Sequence, residues 1–375
     1  LTQTASFIPL VDLKAAHTEV ADAVATGWQD VLDNTAFVLG SHVARFEQAY
    51  ADFVGCRHCI GVSSGTDALE LALRALGIGP GDEVIVPVNT FIATALSVVR
   101  SGATPVFVDC DSQYLLIDVD RIGEKINDHT KAIVPVHLYG QMAPMDRLTQ
   151  LATDAGLVLI EDAAQTQGAK QNGESAGAIG KAAATSFYPG KNLGAYGDGG
   201  AVTTDDEQLA HQIKALRNYG STVKYQHPQI GFNCRLDALQ AVVLSAKLPL
   251  LDDWNAKRRT AAAGYDRLLA ADERIAPVPA MPGNEHIYHL YVIRVAQRDR
   301  VLKYLNENGV GAGIHYPQPL HLTGAFAHLG HAPDEFPEAR QACDHILSLP
   351  MYPHITSQQQ QQVTDTLFEA LDSIG

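Results

Sequence analysis

The sequence predicts an α/β protein with a mostly parallel central sheet flanked by helices, followed by a smaller C-terminal α+β domain. Three observations carry this. Through the first two thirds of the chain, short apolar runs alternate with segments of helical period, as a parallel sheet with helical crossovers requires. From about Leu250 the character changes to a long helix-like stretch and a new set of elements. At 375 residues the chain is long enough for two domains and a large core. The expected boundaries are 1–250 for the large domain and 251–375 for the small one, with some N-terminal residues packed on the latter.

Taken in order, DALELALRAL (residues 67–76) sets Leu69, Ala72, Leu73 and Leu76 on one helical face, with Asp67 and Glu70 in its first turns. GIGPGD ends that helix and EVIVP follows as a short strand. The glycines of GIGPGD lie between helix and strand, the reverse of a dinucleotide-binding loop, so they read as a cap and turn. TFIATALSVVRSG reads as helix, TPVFVDCD and KAIVPVHLYG as strands, MDRLTQLATDAG as helix and LVLIED as a buried strand. Beyond the boundary, LPLLDDWNAKRRTAAAGYDRLLA reads as a long helix, HLYVIRV as a strand, RDRVLKYLNENG as a helix and SQQQQQVTDTLFEAL as another. The glutamine run is expected to be a solvated helix face.

Composition narrows the function. Apolar residues make up 46 % and charged residues 18 %, an ordinary globular balance. A formal charge of −15 disfavours nucleic acid or an anionic membrane as the main partner, though not a small anion in a local basic pocket. No apolar run reaches the roughly 18 residues of a membrane span; Arg100 interrupts the best candidate. LTQTASFIPL lacks the blocks of a signal peptide, and a cytoplasmic location is the expectation. Five cysteines suit reduced thiols better than a disulfide framework. Cys56 and Cys59 form a C-x-x-C, but no second ligand pair accompanies it and a strand follows it, so neither a metal site nor a redox helix is expected.

Four segments end near the carboxyl ends of strands, where such sheets bind ligands. VSSGTDALE places Gly65 and Thr66 at a helix N-terminus, whose free amides suit a phosphate. LIEDAAQTQGA puts Asp162 at a strand end with Gln165 shortly after. TSFYPGKN supplies Ser186 and Lys191, and NTFIAT places Phe91 after the strand ending at Pro87. PGKN is no P-loop, because the upstream glycine spacing and the following Ser/Thr are missing. Each segment also has an ordinary reading as a cap, a structural aspartate, a loop lysine or a core aromatic. In this order, however, they meet the needs of pyridoxal 5′-phosphate (PLP): a phosphate cup, a stacking surface, a carboxylate for the pyridine nitrogen and a Schiff-base lysine.

With these motifs, and with IHYPQPLHL near the end, nearly the whole chain resembles the DegT/DnrJ/EryC1/StrS family of PLP-dependent sugar aminotransferases, of the type I aspartate aminotransferase fold. The resemblance implies that Lys191 bonds the cofactor, that Asp162 pairs with the pyridine nitrogen and that Gln165 lies near the ring hydroxyl. It further implies that Gly65, Thr66 and Ser186 hold the phosphate, that Phe91 stacks on the ring and that Asn233 reaches the phosphate in a neighbouring subunit, which makes a homodimer with shared sites. Some family members lack the lysine and dehydrate; this chain keeps it, which favours transamination.

The segment RNYGSTVKYQHPQIGFNCR carries Arg217, Lys224, His227 and Arg235 in an otherwise acidic protein. By itself it reads equally well as an exposed basic loop. The resemblance borders it on the active site, with Lys224 toward a diphosphate and Tyr188, His315 and Tyr316 toward the sugar or diphosphate. The expected reaction moves an amino group from L-glutamate to a nucleotide-linked keto-sugar. The likeness points to a dTDP-3-keto-6-deoxyhexose, since members acting at C4 more often carry histidine where Tyr188 stands. A 4-keto sugar, a cyclitol ketone and a PLP-binding regulator without turnover are the alternatives.

Overall fold

The computed structural model describes residues 7–374; residues 1–6, part of the stretch read for a leader, lie outside the described residues. Seven strands form the central sheet, in the order His58–Val62, Gly200–Thr204, Ala182–Ser186, Val158–Asp162, Thr130–Ile133, Glu83–Pro87 and Thr104–Val108. Gly200–Thr204 runs antiparallel to both neighbours and the remaining pairs are parallel. The sheet is therefore mostly parallel, with helices packed on it.

Alternate residues of a strand face opposite sides, and the apolar clusters follow that rule. Val84 and Val86 join the cluster that contains Leu69, Leu73, Ala95 and Val98 of the helices Gly65–Ala75 and Ile92–Ser101. Ile85 between them joins Ile133, Leu159, Met145 and Leu148 on the other face. Both faces are thus dry, and the strand ends are where polar side chains can gather.

The predicted strand KAIVPVHLYG is shorter than expected. It pairs only over Thr130–Ile133, after which Pro135 offers no N–H and only the bridge Val136 to Asp162 remains. The strand Gly200–Thr204 went unread, because GAVTT lacks the apolar run that marked the others.

A second cluster surrounds the antiparallel sheet Ala276–Pro277, Tyr291–Arg294 and Ile346–Leu349, covered by the helices Leu251–Leu269, Arg298–Glu307 and Ser357–Ile374. Ile8 belongs to it, its N–H donating to the carbonyl of Gly309 at 2.9 Å. The glutamine run is not wholly solvated. Gln360 is buried and its Nε2 donates to the carbonyl of Ala261 at 2.6 Å, an approach that the missing side chain of Gly264 allows. No helix among the described residues is long and apolar enough to cross a membrane.

Candidate active site

The strand Ala182–Ser186 runs into Phe187, whose buried ring lies edge-on to Phe46 and Tyr50, both at 5.3 Å. This anchors the foot of a loop. The N–H of Lys191 donates to the carbonyl of Tyr188 at 2.9 Å, closing a turn over Pro189, and the N–H of Ala195 returns to the carbonyl of Phe187 at 2.8 Å. Lys191 thus sits at the tip of a loop held by its own backbone. Its side chain is half-buried and its amine makes no hydrogen bond among the described residues. Burial lowers its pKa to about 8, against the opposing pull of Asp162. An amine that is partly neutral near physiological pH is a usable nucleophile and base.

Asp162 ends the strand Val158–Asp162 and is buried. Its Oδ2 accepts from the Thr94 hydroxyl at 2.7 Å and its Oδ1 from the N–H of Ala164 at 3.1 Å. Burial raises its pKa, while Thr94, Ala164 and the charge of Lys191 all act the other way. Gln165 accepts the N–H of Tyr139 through Oε1 at 2.7 Å and donates from Nε2 to the Tyr316 hydroxyl at 3.1 Å. One amide hydrogen of Gln165 is left for a ligand. The Tyr316 ring lies 5.3 Å from that of Phe91, which is half exposed at the start of the helix Ile92–Ser101. Burial, then the charge of Asp162, raises the Tyr316 pKa and keeps it a phenol. His315 bonds the Ser348 hydroxyl through Nδ1 at 2.8 Å, and its pKa is lowered to about 4 by burial, then by Lys191. Asp162, Gln165, Lys191, Phe91, His315 and Tyr316 therefore share one neighbourhood.

The N-terminus of the helix Gly65–Ala75 lies beside Ser186: a Cβ on Gly65 would meet that of Ser186 at 2.7 Å. Ser64 caps the helix, accepting from the N–H of Asp67 at 3.1 Å. The Asp67 carboxylate takes the hydroxyls of Ser63 and Ser64 at 2.6 and 2.8 Å and pairs with Arg100 at 3.0 Å, so its charge is compensated.

Several residues went unread. A Cβ on Gly200 would meet the carbonyl carbon of Ser64 at 2.4 Å, so this strand can close on the helix start only through a glycine. Thr94 and Tyr139 reach the site from distant segments and carried no local signal. Glu161, next to Asp162, points to the opposite face, as strand alternation requires. It is fully buried, takes the N–H groups of Gly177, Ile179 and Gly180 at 2.7–2.8 Å and pairs with His137 Nε2 at 2.9 Å. The N–H of Ala143 donates to His137 Nδ1, which leaves the ring proton on Nε2. Burial alone would raise the Glu161 pKa; His137 and the backbone donors outweigh it and hold the pKa below the usual value. This carboxylate secures the far side of the strand that presents Asp162.

Three expected site residues stand apart. Tyr188 is largely exposed beside the Lys191 loop. Lys224 lies in an exposed segment with its Nζ 5.0 Å above the Tyr225 ring. Asn233 is exposed; its backbone bridges to Asn218, and the carbonyl of Cys234 beside it accepts from Ser63 at 3.2 Å.

The model of the DegT/DnrJ/EryC1/StrS aminotransferase family matches residues 19–368. The chain belongs to this family. Its members are PLP-dependent. Relatives include a "pleiotropic regulatory protein" of Geobacillus stearothermophilus, 44 % identical over 96 % of this chain and 98 % of that one. A dTDP-3-amino-3,4,6-trideoxy-α-D-glucose transaminase of Streptomyces venezuelae is 44 % identical over 96 % of each chain. The crystal structure of S. venezuelae DesV, a family aminotransferase, superposes with a TM-score of 0.95 at 43 % identity, covering 97 % of this chain and 98 % of that one.

Proposed function

We propose that the protein uses PLP to move an amino group from L-glutamate to a nucleotide-linked keto-deoxysugar, most closely a dTDP-3-keto-6-deoxyhexose. The observation that carries this is an unbonded, half-buried lysine amine beside a buried strand-end carboxylate, in the fold of a sugar aminotransferase family. The residues fit the cofactor. Gly65 approaches Ser186 so closely that a Cβ would collide with it, which sets the Ser186 hydroxyl beside the helix start at Gly65 and Thr66. Free amides there suit a phosphate, and Phe91 is half exposed. Gln165 keeps one amide hydrogen for the ring hydroxyl.

When bound, the cofactor supplies a protonated pyridine ring that draws electrons from the carbon beside the donor nitrogen. Asp162, oriented by Thr94, holds the proton on the ring nitrogen. Lys191 Nζ, once free, accepts the proton lost from Cα of the amino donor. His315 and Tyr316 border the space for the acceptor, Tyr188 lies at its edge and Lys224 meets the diphosphate. We read the large domain as residues 1–250 and the small one as 251–375.

Glutamate should bleach the visible absorbance of the PLP-loaded protein, and a dTDP-linked 3-keto-6-deoxyhexose should restore it, with an amino sugar found by mass analysis. The name of the Geobacillus relative favours a second reading, a regulator that senses the cofactor. A spectrum unmoved by glutamate would support that reading and overturn the transaminase.

Asn233 is the partner-facing element of the proposal: each site of a two-fold dimer takes Lys191 from one chain and Asn233 from the other. Lys191→Ala and Asn233→Ala proteins, each weak alone, should then complement when mixed. Random reassortment gives half mixed dimers, each with one intact site, so about a quarter of wild-type sites return. If Asn233 serves its own chain, every site carries a lesion and verified mixed dimers show no gain.

A further inference from the structure

Lys191 is not the only lysine whose amine has been taken out of water. Lys247, the last residue of the helix Ala238–Lys247, is 5 % exposed. Its Nζ lies 2.6 Å from the carbonyl oxygen of Gly194 and 4.5 Å from the centre of the Tyr196 ring. No carboxylate among the described residues pairs with it, and burial lowers its pKa to about 8. A buried ammonium without a counter-ion is a poor device for stability, since an apolar side chain of similar length fills the space without the desolvation penalty.

Gly194 supplies the reason for an amine. It closes the loop that carries Lys191, and a Cβ there would lie 2.2 Å from the carbonyl oxygen of Pro189, so only glycine fits. A glycine also leaves its peptide groups freer to reorient than any other residue would. The Gly194 carbonyl is buried, and Lys247 is its hydrogen-bond donor among the described residues. Two turns earlier on the same helix, Gln240 Oε1 accepts the N–H of Tyr196 at 2.8 Å. The helix therefore grips the returning arm of the loop at two points, one on each side of Ala195.

We propose that Lys247 is a positioning residue, whose bond to the Gly194 carbonyl fixes the loop and so aims the Lys191 amine. This rests on the reading of Lys191 as the catalytic amine. Lys247 does not touch substrate or cofactor; it acts through the backbone of the loop. The lysine is kept for activity rather than for stability, a trade that recurs at catalytic centres.

The test compares wild type with Lys247→Met, which keeps the packing, and Lys247→Gln, which keeps a neutral donor. For Lys247→Met, the melting temperature should stay near that of wild type, because relief of the buried ammonium offsets the unpaired Gly194 carbonyl. At saturating glutamate, kcat of the half-reaction should fall by at least about tenfold with KM little changed, as expected of a misaimed catalytic group. In the protein without cofactor, the Ala195 amide should exchange with solvent faster than in wild type. Lys247→Gln should lie between the two. A Lys247→Met protein with wild-type kcat and exchange overturns the proposal. So does one that loses melting temperature and keeps its kcat, which would make the lysine structural. A wild-type protein without a glutamate response would instead sink the transaminase reading; exchange at Ala195 would then decide the role of Lys247, unchanged exchange rejecting it.

Discussion

Replacing Lys191 with alanine is expected to remove turnover while leaving the protein folded. The loop does not depend on the side chain: its turn closes through the Lys191 N–H, and its base through Ala195 to Phe187. The amine has no hydrogen bond to lose among the described residues, so the melting temperature should stay near that of wild type. The rate should fall by about 10²–10⁴-fold or more, the range for loss of a positioned acid–base group. In the wild-type protein, covalent uptake of PLP requires the neutral amine. Its rate should therefore rise with pH and level off above about 8, the lowered value for Lys191. A profile still climbing beyond pH 10 would mean an ordinary exposed lysine.

Asp162→Asn should slow the glutamate half-reaction far more than it weakens cofactor binding. An amide cannot carry the negative charge that keeps the pyridine nitrogen protonated, and the site loses its preorganised anion. A loss within about tenfold, under ~1.4 kcal/mol of barrier, would mean that Asp162 is not the partner of that nitrogen. Stability should move the other way. Burial raises the Asp162 pKa, so the carboxylate opposes folding at pH above that raised value; the penalty fades as pH falls through it and is gone below the ordinary 3.8. The asparagine variant lacks the penalty and should melt no lower than wild type at pH 7. Its amide can accept from Ala164 while the Thr94 hydroxyl turns to accept.

The two results together separate what was legible in the sequence from what was not. Asp162 was legible because it closes the apolar run LVLIED, where a strand end fixes the side chain's direction, and Lys191 because it stands in TSFYPGKN, one of the motifs that carry the family resemblance. The tilt of Asp162 by Thr94, the backing of Gln165 by Tyr139 and the grip of Lys247 on Gly194 all join segments far apart in sequence. None leaves a local pattern. Gly200 stood in a run of glycines whose purpose appears only when the strand Gly200–Thr204 lies against Ser64. The glutamine run misled because composition says nothing of which single position a facing helix will bury, here Gln360 against Gly264. Lys224 and Asn233 lie on the surface of the chain, and the roles proposed for them would need a bound substrate and a second copy.

The central claim is that one lysine bonds the cofactor. Two lysines have amines lowered to about 8 by burial, Lys191 and Lys247, so low pKa alone does not choose between them. Geometry does: the Lys247 amine is bonded to Gly194, while that of Lys191 is unbonded and faces Asp162. Borohydride reduction of the PLP-loaded protein locks the carbon–nitrogen link, and digestion followed by mass analysis shows which peptide carries it. The modified residue should be Lys191; a cofactor fixed to Lys247, or to any other lysine, would contradict the account.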